Sequence, residues 1–402
     1  MVKIFRRLSI AGPYFCNLGE IGMCMKKISR RNFSKTLAVG VSATGLMGHL
    51  PSMLAMETKP QKKKLGIALV GLGGYSTYQL APALQDTKHC YLAGIVTGTP
   101  AKEKVWSNKY NIPSKNIYNY QNFDKLKDNA DIDIVYVVLP NSMHAEFSIR
   151  AAKAGKHVIC EKPMAMNVSE CDEIIQACKE HGVKLGMGYR LHSEPYTQEV
   201  KRFVREKTFG EVKHMISEAA YYSGGNPNQW RLNKVLSGGG ALMNMGCYAI
   251  QGLIYGSGEN PISVTAQEFS TRPAYFKDTD ETITAQFDFK SGATGEMLTS
   301  HNQNANMLRV NCENGWYELD PASTYIPLAG RTSNGKLNFK QESQQKLQMD
   351  DFAKHIVFDA PNLAPGEMGK RDMIIVEAVY RSIAEGGKKQ SLDFSEGYGF
   401  GG

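Results

Sequence analysis

Four short stretches of this chain carry residue types and spacings suited to holding an anion or moving a proton. Gly71-Leu72-Gly73-Gly74-Tyr75-Ser76 directly follows the apolar run Leu65 to Val70. Glycines there permit a tight turn and let backbone amides approach a pyrophosphate at a helix N-terminus. The usual third glycine is replaced by Ser76. At the end of the second apolar run, where NAD enzymes commonly place an acid for the ribose hydroxyls, stand Thr97-Gly98-Thr99, with Lys102 in the next turn. A hydroxyl and an ammonium suit a 2′-phosphate better than a diol, so NADP is expected over NAD. Leu139-Pro140-Asn141-Ser142-Met143-His144 ends another run, and Cys160-Glu161-Lys162-Pro163 ends the one after it. Both belong at the carboxyl edge of a parallel sheet, where open α/β sheets bind ligands. Lys162 at that edge is well placed to meet a cofactor; taken alone, it reads equally as a surface lysine.

The elements that must position these residues are legible in the hydrophobic pattern. Apolar runs at Leu65 to Val70, Tyr91 to Val96, Ile134 to Leu139, His157 to Cys160 and Lys184 to Gly188 alternate with helical stretches. That alternation predicts βαβ units and a doubly wound parallel sheet, a Rossmann domain over about residues 65–190. The clearest helix follows Asn167: Ser169 and Asp172 have capping-box spacing, Val168, Cys171, Ile174, Ile175 and Cys178 share a face, and Gly182 ends it. From residue 191 onward the period changes to alternation, most cleanly over Ile283 to Phe289 and more faintly at Val212, His214 and Ile216, then at Ile262, Val264 and Ala266. Alternation predicts a sheet wet on one face, hence an α+β domain over 191–402 with an open, largely antiparallel sheet. A last helix, about Arg371 to Glu385, is expected to pack back on the body.

Charge is distributed unevenly. The chain carries a formal +8, but residues 1–64 hold 12 of its Lys and Arg against Glu20 and Glu57, leaving 35 basic and 37 acidic residues elsewhere. The basic excess therefore belongs to the first 64 residues, and a nucleic-acid reading loses its electrostatic footprint. Those residues include Ser29-Arg30-Arg31-Asn32-Phe33 and then a weakly apolar run from Thr36 to Leu50. This resembles a twin-arginine signal, so residues 1–55 are expected to be a leader, 56–64 a linker, and the mature protein to be periplasmic without a membrane span. Six cysteines (Cys90, Cys160, Cys171, Cys178, Cys247, Cys312) lie beyond it without CxxC pairs or metal-ligand spacing, so they are expected in the core and no metal is expected.

Taken together, several spaced motifs resemble the Gfo/Idh/MocA family, and within it the glucose-fructose oxidoreductase branch. They are the glycine fingerprint, Leu139 to Phe147, Ala154-Gly155-Lys156-His157-Val158 with Glu161-Lys162-Pro163-Met164-Ala165, Gly188-Tyr189-Arg190-Leu191-His192, and Gln229-Trp230-Arg231-Leu232 with Gly238 to Met243. The resemblance covers about Gly66 to the C-terminus. It implies a dinucleotide domain, an open sheet used for substrate binding and subunit pairing into a dimer or tetramer, and a sugar as substrate. It further implies that Lys162 lies near the nicotinamide, that Tyr248 is the catalytic tyrosine, and that Thr97 and Lys102 meet the NADP phosphate. Gly71, Gly73, Gly74, Tyr75, Tyr120, Leu139, Pro140, Asn141, His144, Glu161, Arg190, Trp230 and Arg231 fall on positions expected to contact cofactor or substrate. The chain departs from the branch in having Asn244 where an Asp stands four residues before the tyrosine, and in lacking a long arm ahead of the first strand.

An NADP-dependent sugar oxidoreductase is the function this implies. An ammonium about 4 Å from a phenol, at an effective dielectric of about 20, favours phenolate by roughly 4 kcal/mol, which is sufficient to let a tyrosine take a hydroxyl proton. Asn244, one helical turn before Tyr248, is expected to share its face and leave the Lys162 effect undiluted. Two rival functions share the motifs: a glycosidase that transiently oxidises its sugar, and a non-catalytic dinucleotide or sugar sensor. The sensor would require a disabled Lys162 or Tyr248, and both residues are present.

Overall fold

The run Leu65–Val70 is buried along its whole length, which a strand tolerates only where both faces of its sheet are covered. It forms β1, inside a six-stranded parallel sheet with β2 (Cys90–Val96), β3 (Ile117–Tyr118), β4 (Ile134–Val137), β5 (His157–Cys160) and β6 (Leu185–Met187). The order β3-β2-β1-β4-β5-β6 is the doubly wound one, with its switch point between β1 and β4. The two-residue β3 was not among the expected runs; it is too short to leave a period in the sequence. The computed structural model describes residues 64–394. The twin-arginine leader lies outside the described residues.

A π turn, Ser76–Leu80, runs into α1 (Ala81–Gln85) after β1. Helices α2 (Pro100–Tyr110), α3 (His144–Lys153) and α4 (Val168–Glu180) then cross between strands. The cap of α4 corrects the sequence reading. Asn167 is the extended N-cap residue and accepts from Glu170 N at 2.9 Å, while Glu170 Oε2 accepts from Met166 N at 3.0 Å. Ser169 is already inside the helix, and Asp172 instead pairs with Lys370 at 2.6 Å.

The second half begins with α5 (Pro195–Arg205), β7 (Val212–Ala220), α6 (Cys247–Ser257), β8 (Pro261–Phe269), β9 (Thr282–Phe289), β10 (Thr294–Ser300), β11 (Ala305–Cys312) and β12 (Gly315–Leu319). It ends with β13 (Gly330–Thr332), β14 (Gly335–Lys336), α7 (Gln344–Phe358), α8 (Gly366–Ala384) and β15 (Gln390–Ser391). Its nine strands order as β14-β13-β12-β11-β7-β10-β9-β8-β15, antiparallel except for the β7–β10 pair. On β9 the expected face is buried: Ile283, Ala285, Phe287 and Phe289.

Two other strands depart from the reading of their apolar letters, β7 along its length and β8 at one residue. On β7 the buried residues are Met215, Ser217 and Ala219, not Val212, His214 and Ile216. The cause lies in α6, whose Gly252 and Gly256 press on Ser217 and Met215; a Cβ at Gly252 would sit 2.3 Å from Ser217 Oγ. On β8 a bulge between Pro261 and Ser263 turns Ile262 out to 48% exposure while Val264 and Ala266 stay buried.

Helix α8 starts a turn earlier than its pattern suggested and joins the two halves. Its Glu377 accepts from Val168 N at 2.8 Å, and a Cβ at Gly369 would sit 2.8 Å from Met164 Sδ. The six cysteines among the described residues are free, with only Cys312 partly exposed, and burial pushes the Cys160 thiol up to about 12. No helix among the described residues is long and apolar enough to cross a membrane.

Candidate active site

The carboxyl ends of β1 and β4 open into a cavity of about 830 Å³ walled by both halves of the chain. At Gly71 the backbone takes φ +90°, and a Cβ would sit 2.3 Å from the Val138 carbonyl oxygen. Only glycine satisfies both constraints. Gly73 is exposed and a Cβ on it would meet nothing within 4 Å, so the turn is open on its ligand side. Ser76, the departure from the fingerprint, donates to Gly71 O at 2.6 Å and closes the turn from behind. Lys102 reaches back from α2 to donate to Leu72 O at 2.8 Å, and Thr97 Oγ1 accepts from Thr99 N at 3.1 Å. Tyr120 packs edge-on against Phe147, so close to Gly98 that a Cβ there would lie 2.7 Å from its ring. Glycine turn, hydroxyl and ammonium therefore share one end of the cavity, and they fit a nicotinamide dinucleotide.

Two loops are tied together beside it. His144 turns Nδ1 to Pro163 O at 2.8 Å and Nε2 to Leu139 O at 2.9 Å, spending both ring nitrogens on the loops after β4 and β5. Burial lowers its pKa. Asn141 donates to Ser237 O at 2.7 Å and so bridges to the second half.

The reacting end gathers around Lys162. Its Nζ donates to the Asn244 main-chain carbonyl at 2.5 Å and lies 4.6 Å from the centroid of the Tyr248 ring. Burial pulls its pKa down, but Cys247, Tyr248 and Glu161 together more than offset that, and it stands above its ordinary value. Glu161 is buried beneath, accepting from Tyr136 OH at 2.7 Å, with Gln348 donating to Tyr136 at 2.8 Å. Burial raises the pKa of that carboxyl. Arg190 places its guanidinium carbon 5.0 Å from the Tyr248 ring on another side.

Comparison with known proteins places this arrangement. Residues 65–189 match the model of the GFO_IDH_MocA oxidoreductase family with an NAD-binding Rossmann fold, and residues 197–318 match the GFO/IDH/MocA C-terminal domain. The chain belongs to the GFO/IDH/MocA oxidoreductase family. It is 38% identical to the solved aldose-aldose oxidoreductase of Caulobacter crescentus, with a TM-score of 0.79 over 82% of this chain and 100% of that one. D-xylose 1-dehydrogenase [NADP(+)] of Haloarcula marismortui is 26% identical over 78% of this chain and 90% of its own length. Levoglucosan dehydrogenase of Pseudarthrobacter phenanthrenivorans is 25% identical over 67% and 76%.

Within this GFO/IDH/MocA chain, every cofactor and catalytic position singled out from sequence lines the cavity, but Asn244 does so differently from expectation. It meets Lys162 through its main chain, while its amide donates to Tyr221 OH at 3.0 Å and contacts His301 Nε2 at 3.0 Å. The reason is that Leu242–Gly246 is a π turn, so residues 244 and 248 are not stacked at α-helical spacing. Trp230 and Arg231 sit on a 3-10 turn of the same wall, the guanidinium carbon 4.5 Å from the indole centroid.

Sequence reading missed Tyr221, Asp280, His301 and Tyr325. His301 is buried, its Nδ1 has no hydrogen-bond partner among the described residues, and burial pushes its pKa down from 6.5 to about 4. Because that pKa is depressed, the unfolded chain binds the proton more readily, so stability present above pH 6.5 is lost as pH falls towards 4. Acidification over that window is expected to cost roughly 3 kcal/mol through this group alone. Urea unfolding at both ends of the window, on wild type and His301→Gln, checks it: equal acid sensitivity in the two proteins would contradict the assignment.

Proposed function

We propose that this chain transfers hydride between NADP and a sugar of the aldose class, with Tyr248 moving the hydroxyl proton and Lys162 supporting it. The observation that carries the reading is the lodging of the Lys162 ammonium between the Asn244 carbonyl and the Tyr248 ring, in the same cavity as the glycine turn and Lys102. When bound, the nicotinamide supplies the hydride acceptor or donor. In oxidation the phenolate oxygen of Tyr248 takes the proton of the sugar hydroxyl and becomes the phenol, and in reduction the phenol returns that proton to the sugar oxygen. Lys162 provides the positive charge that favours the phenolate form, and Arg190 holds the other side of the tyrosine ring. The sugar class is supported by relatives named as an aldose-aldose oxidoreductase, a xylose dehydrogenase and a levoglucosan dehydrogenase.

Absorbance of reduced nicotinamide, followed with purified protein, NADP and a panel of aldoses, tests the reading. An aldose that reduces NADP in a Tyr248-dependent reaction is expected; hydrolysis of glycosides without such a reaction would overturn it. Cofactor choice has its own test. Lys102→Ala is expected to weaken NADP binding roughly ten- to hundredfold, as for loss of a charge-assisted bond to phosphate, and to leave NAD binding nearly as it was. Equal losses for both nucleotides would show that Lys102 serves the Leu72 turn rather than a phosphate.

A further inference from the structure

One stretch of cavity wall was pointed to by neither the glycine fingerprint nor any other sequence motif: Ser323-Thr324-Tyr325-Ile326, in the loop after β12. Its backbone is firmly held. Arg190 donates through Nη2 to Ser323 O at 2.5 Å, and through Nη1 to Thr324 O at 3.0 Å and to Gln344 Oε1. Gln344 donates in turn to Thr324 O at 3.0 Å and to Tyr325 O, and Asn306 Oδ1 accepts from Ser323 N at 2.7 Å. Held so, the segment nevertheless leaves Tyr325 43% and Ile326 51% exposed.

The Tyr325 ring does not stand alone. It stacks on the ring of Tyr75, with centroids 6.1 Å apart and planes 24° from parallel, and Tyr75 belongs to the glycine turn. The Arg190 guanidinium carbon lies 4.7 Å from the Tyr325 ring and 5.0 Å from the Tyr248 ring, whose centroid is in turn 4.6 Å from Lys162 Nζ. Ring, ring, cation, ring and cation thus follow one another from the nucleotide turn to the reacting end, and all five line the cavity. Any ligand reaching from Gly73 to Lys162 shares a wall with this column. The Tyr75–Tyr325 pair joins a loop of the parallel sheet to a loop of the second sheet at the cavity's lining.

We propose that Tyr75 and Tyr325 form a clasp that retains the nucleotide in the cavity, with Arg190 as its anchor. The inference rests on the nicotinamide reading above. The clasp is internal to the cavity: the two rings stack on each other from loops of the two sheets, so a ligand lying along the column would run beside a contact that ties those loops together. Offset-stacked rings are stabilising but modest, so the clasp slows release without making it permanent.

Stopped-flow release of NADPH, chased with excess NADP and read by nucleotide fluorescence on the full chain, tests it. Tyr325→Ala and Tyr75→Ala are each expected to release NADPH roughly five- to tenfold faster than wild type. Because the rings act on each other, the double variant should be little faster than the faster single one, whereas independent contacts would multiply. Tyr325→Phe, which keeps the ring, should restore slow release, and Tyr325→Leu repeats the loss should the alanine variant fold poorly. Release from the alanine and leucine variants within about twofold of wild type, or fully multiplicative effects, would overturn the clasp. A wild-type chain that binds no NADPH would instead sink the nicotinamide reading and the clasp with it.

Discussion

Tyr248→Phe is expected to lower kcat by roughly a hundred- to ten-thousandfold, the range general acid–base groups supply, while NADP binding and the unfolding midpoint stay close to wild type. The substitution removes one oxygen and keeps the ring. The contacts of that ring with the Lys162 ammonium at 4.6 Å and the Arg190 guanidinium at 5.0 Å survive, so the ring keeps its place in the cavity wall although the hydroxyl's bond with Arg190 is lost. Lys162→Ala should reach a similar loss by another route, and less cleanly. It removes the charge beside the tyrosine and also the donor to Asn244 O, which loosens the π turn that carries residue 244. If the two residues act as one unit, the double variant should be little worse than either single variant. Steady-state kinetics with the preferred aldose decides the matter. Retention of more than about a tenth of turnover by Tyr248→Phe would rule out the proton role assigned to it.

Asp280→Ala is expected to destabilise the fold by about 3 kcal/mol or more and to impair the site although Asp280 does not line the cavity. This buried carboxylate accepts from Gly240 N at 2.7 Å, Leu242 N at 2.8 Å and Tyr380 OH at 2.7 Å. It therefore satisfies amide donors at the start of the turn that leads into α6 and Tyr248, which is where a negative charge is favoured. The packing is close enough to explain the glycines there: a Cβ at Gly240 would sit 1.9 Å from Asp280 O, and one at Gly239 2.0 Å from Tyr380 OH. Removing the carboxylate leaves buried N–H groups unpaired and frees the turn to shift. Asp280→Asn keeps an acceptor and should lose less. Denaturant unfolding of the three proteins tests this, and a midpoint shift equivalent to under about 1 kcal/mol at unchanged slope for the alanine variant would show that the turn holds itself.

The sequence by itself determined the parallel sheet and most of the nucleotide end of the site, because both depend on local pattern. Fully buried strands read as unbroken apolar runs, and a turn that needs φ +90° beside a carbonyl oxygen declares itself as Gly71. The family resemblance, not local pattern, pointed to Tyr248 and decided for Lys162, two residues that chain order separates widely and the cavity brings together.

What only the tertiary structure decided are choices between partners far apart in the chain. Which face of β7 is buried depends on the glycines of α6, not on the apolar letters of β7 itself. Asn244 carries no mark of its π turn, so its amide was expected beside Tyr248 and is found on Tyr221 and His301. Asp280 stands in a charged loop that also holds Asp278, and nothing local separates the carboxylate that holds α6 in place from its neighbour. Tyr325 gains its meaning only when the loop after β12 meets the loop after β1. Periodicity reports what a residue does within its own element; side chains that act across elements are fixed by packing, which no single stretch of sequence contains.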